Sequence, residues 1–295
     1  MKEALFRGTC TAVVTPFAPE GLDLERLKRQ LETQWRQGVG AVVLAGTTGE
    51  SAALSPREFE SLTAAAVAHV GGRMKCIVGV GGNNTAACLD RAMFAAAAGA
   101  DAVLMTPPYY NKTSPAGLLA HFTYVADRCP IPLILYNVPS RTAIGITPEA
   151  YQALAEYPNI NGVKEASGDM ALASRLASEL GDSLRLYCGN DDLTLPMMAL
   201  GADGVISVAS NVVPAELVRL TGLCLSGDYG AARAQHKKLS PLFRLLFTET
   251  NPIPVKAAMA LLGTDSGRLR LPLVELGEER KAALRTCLER LRVLE

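Results

Sequence analysis

Three side chains with reactive or charged ends close successive apolar runs near the middle of the chain. Tyr136 and Arg141 lie in IPLILYNVPSRTAIGITP (131–148), and Lys164 lies in INGVKEASGD (160–169). Both runs are short, rich in branched residues and read as strands buried on both faces. An ammonium inside such a strand is costly to desolvate. It either meets a carboxylate or sheds its proton and becomes a nucleophile. A neutral amine attacks a ketone to form a Schiff base; loss of a proton from the neighbouring carbon then leaves an enamine, a carbon nucleophile. A phenol can donate and accept, which suits Tyr136 to carry those protons. The competing reading makes Lys164 a structural lysine paired with an acid. The tyrosine on the preceding strand, and the lack of an obvious acid, favour catalysis.

Other chemistries fit less well. His69, His121 and His236 fall in predicted helices far apart in sequence, which leaves neither a zinc cluster nor a Ser-His-Asp set. Glu50 and Glu165 are the carboxylates near strand ends, and strand alternation turns Glu165 away from Lys164, so paired acids for glycoside cleavage are missing. AGTTGES (45–51) has the composition of a turn whose N–H groups converge on an anion, with the Thr47 and Thr48 hydroxyls as further donors. An ordinary glycine turn is the plainer alternative. Arg141 suits a carboxylate held bidentately, against a surface ion pair. GVGGNN (79–84) lacks the lysine and spacing of a P-loop and reads as a strand-ending turn.

The elements that must position these groups alternate regularly. Eight strands are expected at 11–17, 40–49, 76–82, 101–110, 132–139, 160–167, 185–191 and 204–210. Between them Asp23, Ser55, Ser114, Thr147 and Asp169 read as helix N-caps, with Pro56 and Glu58 completing a capping box after Ser55. QGVGAVV, AAGADAVL and LGADGVIS place glycine just past a helix and feed a strand. Strict alternation means parallel strands with right-handed crossovers. Eight units without a G-x-G-x-x-G turn at the first strand predict an α/β fold of the (β/α)8 barrel kind rather than a doubly wound sheet. The pattern becomes purely helical near residue 226, which divides the chain into a catalytic barrel, 1–225, and a C-terminal helical domain, 226–295. The strand ends then bring together Thr47, Thr48, Glu50, Tyr109, Tyr110, Tyr136, Arg141, Lys164, Gly189, Asn190, Ile206 and Ser207.

Composition narrows the setting. Of 295 residues 49% are hydrophobic and 20% charged, ample for a core and unlike a disordered chain. Lys plus Arg equals Asp plus Glu at 29 each, with no basic stripe, which argues against a nucleic-acid partner. The seven cysteines are scattered without a C-x-x-C pair and read as buried free thiols of a reducing compartment. No signal-peptide pattern opens the chain and no apolar run reaches membrane-spanning length, so a cytoplasmic protein without membrane partners is expected.

GTTGES (46–51), YYNK (109–112), YNVPSRT (136–142), GVKEASGD (162–169), GVISV (204–208) and NPIPVK (251–256) closely resemble the dihydrodipicolinate synthase family, in order and over essentially the whole chain. The resemblance implies a (β/α)8 barrel with a C-terminal helical domain, usually a homotetramer. It also implies condensation of pyruvate with L-aspartate 4-semialdehyde, at the start of lysine and diaminopimelate synthesis, without metal or cofactor. Carried onto matching positions, Lys164 would form the Schiff base and Tyr136 would be the central proton carrier. Thr47 and Tyr110 would complete the relay, Tyr110 from a neighbouring subunit. Thr48 would hold the pyruvate carboxylate, Arg141 the semialdehyde carboxylate, and the backbone at Gly189 and Ile206 would shape the pocket. Sugar-acid lyases and aldolases of the wider superfamily share the lysine and tyrosine; Arg141 separates the chain from them, and a silent pyruvate-binding barrel is a further alternative. Pro56, Phe59 and Ala87 stand where lysine-inhibited members have two histidines and a glutamate, so weak or absent inhibition by lysine is expected.

Overall fold

Side-chain caps at Asp23, Ser55, Asn84, Ser114, Thr147 and Asp169 start helices, and glycines such as Gly38, Gly99 and Gly201 follow helix ends, cutting the chain into strand–helix units. The computed structural model describes residues 2–294. Its strands are β1 (Gly8–Ala12), β2 (Ala41–Leu44), β3 (Lys75–Gly79), β4 (Ala102–Met105), β5 (Leu133–Asn137), β6 (Ile160–Glu165), β7 (Arg185–Cys188) and β8 (Gly204–Ser207). Each pairs in parallel with its neighbours in chain order, and β1 closes the ring by pairing with both β2 and β8. The crossover helices are α1 (Leu24–Arg36), α2 (Pro56–Val70), α3 (Thr85–Ala97), α4 (Pro115–Ala126), α5 (Pro148–Ala155), α6 (Met170–Leu180), α7 (Thr194–Ala199) and α8 (Pro214–Leu225). Three more follow: α9 (Tyr229–Leu245), α10 (Ile253–Leu261) and α11 (Glu278–Arg290). This is the expected (β/α)8 barrel followed by a helical region.

The caps read from the sequence are present. Asp23 accepts from Arg26 N–H at 2.9 Å, and Ser55 and Glu58 form the reciprocal capping box at the start of α2. Gly38, Gly99 and Gly201 take φ of 82°, 90° and 101° where a helix turns into a strand, a conformation that excludes most side chains.

Several strand boundaries differ from expectation. β1 begins three residues early, at Gly8, because 8–11 is the stretch in register with β8. Residues beyond it leave the barrel, and Phe17–Ala18 instead pairs antiparallel with Gly21–Leu22. Strands β2 and β4 stop short, at Leu44 and Met105: Ala45 takes φ 47°, and Pro107 and Pro108 lack the N–H a ladder needs. The residues trimmed from these strands are the loops that carry the candidate chemistry.

Register decides which side chains face inward. Tyr136 lies opposite Lys164 across β5 and β6, and Lys164 opposite Tyr187 across β6 and β7. Alternation puts these three inside the barrel, with Cys10, Leu104 and Ile206 among the apolar residues there. A second apolar layer lies between strands and helices and continues into the C-terminal region through Leu239, Phe243, Val255 and Leu284. Among the described residues no helix is long and apolar enough to cross a membrane.

Candidate active site

Lys164 is 5% exposed, and its Nζ lies 4.1 Å from the centroid of the Tyr136 ring. Among the described residues no carboxylate comes within ion-pair distance and no hydrogen bond engages the amine. The neighbouring Glu165 points the other way, as alternation requires. It accepts from Asn137 Nδ2 at 2.9 Å, Tyr151 Oη at 3.1 Å and Ser167 N–H at 2.7 Å. Burial and the Glu165 charge together hold the Tyr151 phenol well above its ordinary range.

The mouth of the barrel opens into a cavity of about 430 Å³. Thr47, Tyr136 and Arg141 are in its wall, with Tyr109, Gly81 and Leu104 between them and Asn251 and Pro252 beside Arg141. Lys164 sits behind the wall, against Tyr136. The loop after β2 is folded so that Gly49 and Glu50 N–H donate to the carbonyls of Gly46 and Thr47, each at 3.1 Å. The N–H groups of Thr47 and Thr48 donate to no other described residue, which leaves two donors for an anion. Gly189 lets β7 pass close to β6: its N–H donates to Glu165 O at 2.8 Å, and a Cβ there would lie 2.5 Å from Ala166 Cβ. Ile206 is fully buried inside the barrel.

The remaining members of the expected set are placed differently. Thr48 is 3% exposed and outside the cavity wall. Its hydroxyl accepts from Asn251 Nδ2 at 2.9 Å. Tyr110 is 90% exposed with φ 64° and does not line the cavity of its own chain. Within one chain, then, Tyr136 and Thr47 share a cavity and Tyr110 stands outside it.

Several residues around the site were not singled out from the sequence. The NPIPVK motif, to which the sequence assigns no role, braces the cavity. Asn251 bonds Thr48 with its side chain and accepts from Arg141 Nη2 with its carbonyl at 3.0 Å. Lys256, fully buried on α10, donates to Glu50 Oε1 and to Thr15 O, each at 2.8 Å. Glu50 also accepts from Arg270 N–H at 3.0 Å. Nothing in local sequence links residues 200 positions apart, and only the pairing of Glu50 with a lysine in an apolar helix could have hinted at it. Asp191, two residues beyond Gly189, is 2% exposed and accepts from the N–H groups of Val208 and Ala209 at 3.0 and 2.9 Å. It thereby pins the end of β8 beside Ile206. Burial raises its pKa, while those N–H groups and the Lys164 charge pull the other way. Among the described residues no three of His, Cys, Asp and Glu converge as metal ligands.

A buried, acid-free lysine against a tyrosine at the carboxyl end of a (β/α)8 barrel defines the class: a barrel with the groups of a Schiff-base-forming aldolase. Residues 5–291 match the model of the dihydrodipicolinate synthetase family. The 4-hydroxy-tetrahydrodipicolinate synthase of Thermoanaerobacter sp. (strain X514) is 44% identical over 287 residues, 97% of each chain. That of Methanocaldococcus jannaschii is 43% identical over 286 residues, 97% of this chain and 98% of its own. The crystal structure of dihydrodipicolinate synthase from Aquifex aeolicus superposes with a TM-score of 0.96 at 42% identity, covering 98% of this chain and 99% of that one. The chain belongs to the dihydrodipicolinate synthetase family.

Proposed function

We propose that this chain condenses pyruvate with L-aspartate 4-semialdehyde to 4-hydroxy-tetrahydrodipicolinate through a Schiff base on Lys164. The observation that carries the reading is the Lys164 amine, buried without an acid and 4.1 Å from the Tyr136 ring centroid. Lys164 adds to the pyruvate ketone, and loss of water leaves the protonated imine. The pyruvate methyl gives up a proton, and the enamine carbon attacks the semialdehyde aldehyde. The amine of the second substrate then closes the ring and frees Lys164. Tyr136, with Thr47 beside it, moves the protons. The free N–H groups at Thr47 and Thr48 support the pyruvate carboxylate site, and Arg141 in the cavity wall supports the semialdehyde carboxylate. The backbone at Gly189 and Ile206 shapes the pocket.

Tyr110 completes the relay from a neighbouring subunit of a homotetramer; its near-complete exposure in the single chain supports that role. Seven free, buried cysteines support a cytoplasmic setting. Inhibition by lysine is weak, because Pro56, Phe59 and Ala87 offer no carboxylate to an ammonium; strong inhibition at sub-millimolar lysine would overturn this. The test of the reading is borohydride trapping. Pyruvate plus borohydride should add one reduced adduct per chain, placed at Lys164, and Lys164→Ala should lose both adduct and turnover. An adduct without condensation of the semialdehyde would leave a pyruvate barrel acting on another aldehyde, or a silent one.

A further inference from the structure

One residue in the cavity wall touches both groups assigned above to substrate carboxylates. Asn251, 5% exposed, donates through Nδ2 to the hydroxyl of Thr48, 203 positions away in sequence, at 2.9 Å. Its backbone carbonyl accepts from Arg141 Nη2 at 3.0 Å.

The direction of the first bond matters. An amide NH2 donates and cannot accept, so it occupies a lone pair of the Thr48 oxygen and leaves the hydroxyl proton unused. Among the described residues that hydroxyl donates to nothing. With the free N–H groups of Thr47 and Thr48, the turn then offers a carboxylate one hydroxyl and two amides. A hydroxyl that already accepts a hydrogen bond is a stronger donor in its turn. Asn251 Oδ1, by contrast, is buried without a partner among the described residues, a costly state for an amide oxygen. Turning the amide over would pair that oxygen with the Thr48 proton and take the hydroxyl away from a ligand.

The second bond runs through the backbone. Arg141 sits exposed on the helical turn Pro139–Thr142 after β5, where a long side chain needs a fixed acceptor to hold one geometry. The Asn251 carbonyl takes one of its N–H donors and leaves the others for a carboxylate. Ile253 N–H closes the turn carrying that carbonyl onto Thr250 O at 2.9 Å, and the Asn251 side chain ties the same turn to Thr48.

We infer that Asn251 is a positioning residue that couples the two carboxylate sites. It holds the Thr48 hydroxyl as a donor for the pyruvate carboxylate and sets the Arg141 fork for the carboxylate of the second substrate. The inference rests on the reaction proposed above. A disturbance at Thr48 passes to Arg141 through Asn251, so the first substrate helps to place the group that receives the second.

Borohydride trapping of pyruvate in the full-length protein reads the first site without the second substrate. An absent wild-type adduct would overturn the reaction and this inference with it. Given that adduct, Asn251→Ala should raise the pyruvate concentration for half-maximal trapping about tenfold, with one adduct per chain still reached at saturation. Asn251→Asp keeps the shape and a hydrogen bond to Thr48 but, ionised, makes Thr48 the donor. It should raise the same concentration further, by about a hundredfold. In Thr48→Val, adding Asn251→Ala should change nothing more. Asn251→Ala and Thr48→Val should each raise the KM for the semialdehyde about threefold, although neither removes a group that touches it. With the wild-type adduct present, an unaltered pyruvate dependence in Asn251→Asp would mark Asn251 as a brace of the loop only and overturn the inference. Independent, multiplying effects of Asn251→Ala and Thr48→Val would do the same, as would a semialdehyde KM that neither exchange moves.

Discussion

Two lysines are buried in this protein, and their surroundings could hardly differ more. Lys164 in the barrel has an aromatic ring at 4.1 Å and no acid among the described residues; Lys256 at the joint with the C-terminal helices has a ring, Phe17, at 4.4 Å and the Glu50 carboxylate at 2.8 Å. Burial lowers the Lys256 pKa, and Glu50 opposes that by attraction and hydrogen bonding. The contrast separates two uses of the same side chain. A buried amine with an acid and a carbonyl is a fastening; a buried amine left without an acid is available to react. Burial alone would have classed them together.

The fastening matters to the site. Glu50 takes φ 54°, unusual for a residue with a side chain, two residues beyond Thr48. Lys256 and Arg270 N–H hold it there, while Asn251 reaches Thr48 and Arg141. The C-terminal region thus braces the wall of the cavity.

The comparison can be broken most directly by exchanging each lysine for methionine. Lys256→Met leaves Glu50 buried without its cation and should cost about 3–5 kcal/mol in urea unfolding. Lys164→Met removes an amine with no partner and should leave stability unchanged or higher, while turnover falls by at least about a thousandfold through loss of the nucleophile. Equal destabilisation by both would erase the distinction between fastening and reactive lysine.

Smaller effects sharpen it. Tyr110→Phe should lower kcat by about a hundredfold, and a variant held as a monomer should be nearly inactive. A fully active monomer would remove Tyr110 from the relay. Arg141→Leu should raise the KM for the semialdehyde by about tenfold to a hundredfold, with pyruvate trapping on Lys164 retained. The smallest effect lies at the rim. Glu58 is drawn down to about 2, chiefly by its hydrogen bonds with Arg270, against an ordinary 4.5. A depressed carboxylate contributes stability that is complete above its unfolded pKa and is lost as pH falls through the folded one. Thermal stability should therefore decline from about pH 4.5 towards 2, and Glu58→Gln should flatten part of that slope. An unchanged slope would show that the Arg270 contact contributes nothing measurable at a solvent-facing site.

Much of this was legible in one dimension because it depends on neighbours in sequence. Strand–helix alternation, the Ser55–Glu58 capping box and the glycines after helices are local, and they determine a barrel whose strand ends carry Lys164, Tyr136 and Arg141. Alternation along β6 also determines that Lys164 and Glu165 part ways. What tertiary structure alone decided is who meets whom across long separations. Asn251 reaches Thr48, Lys256 reaches Glu50, and Arg270 reaches Glu58. Such pairings arise from how a closed ring of strands and a following set of helices pack in space. A sequence pattern encodes which face of each element is apolar, but not which partner its polar exceptions will find.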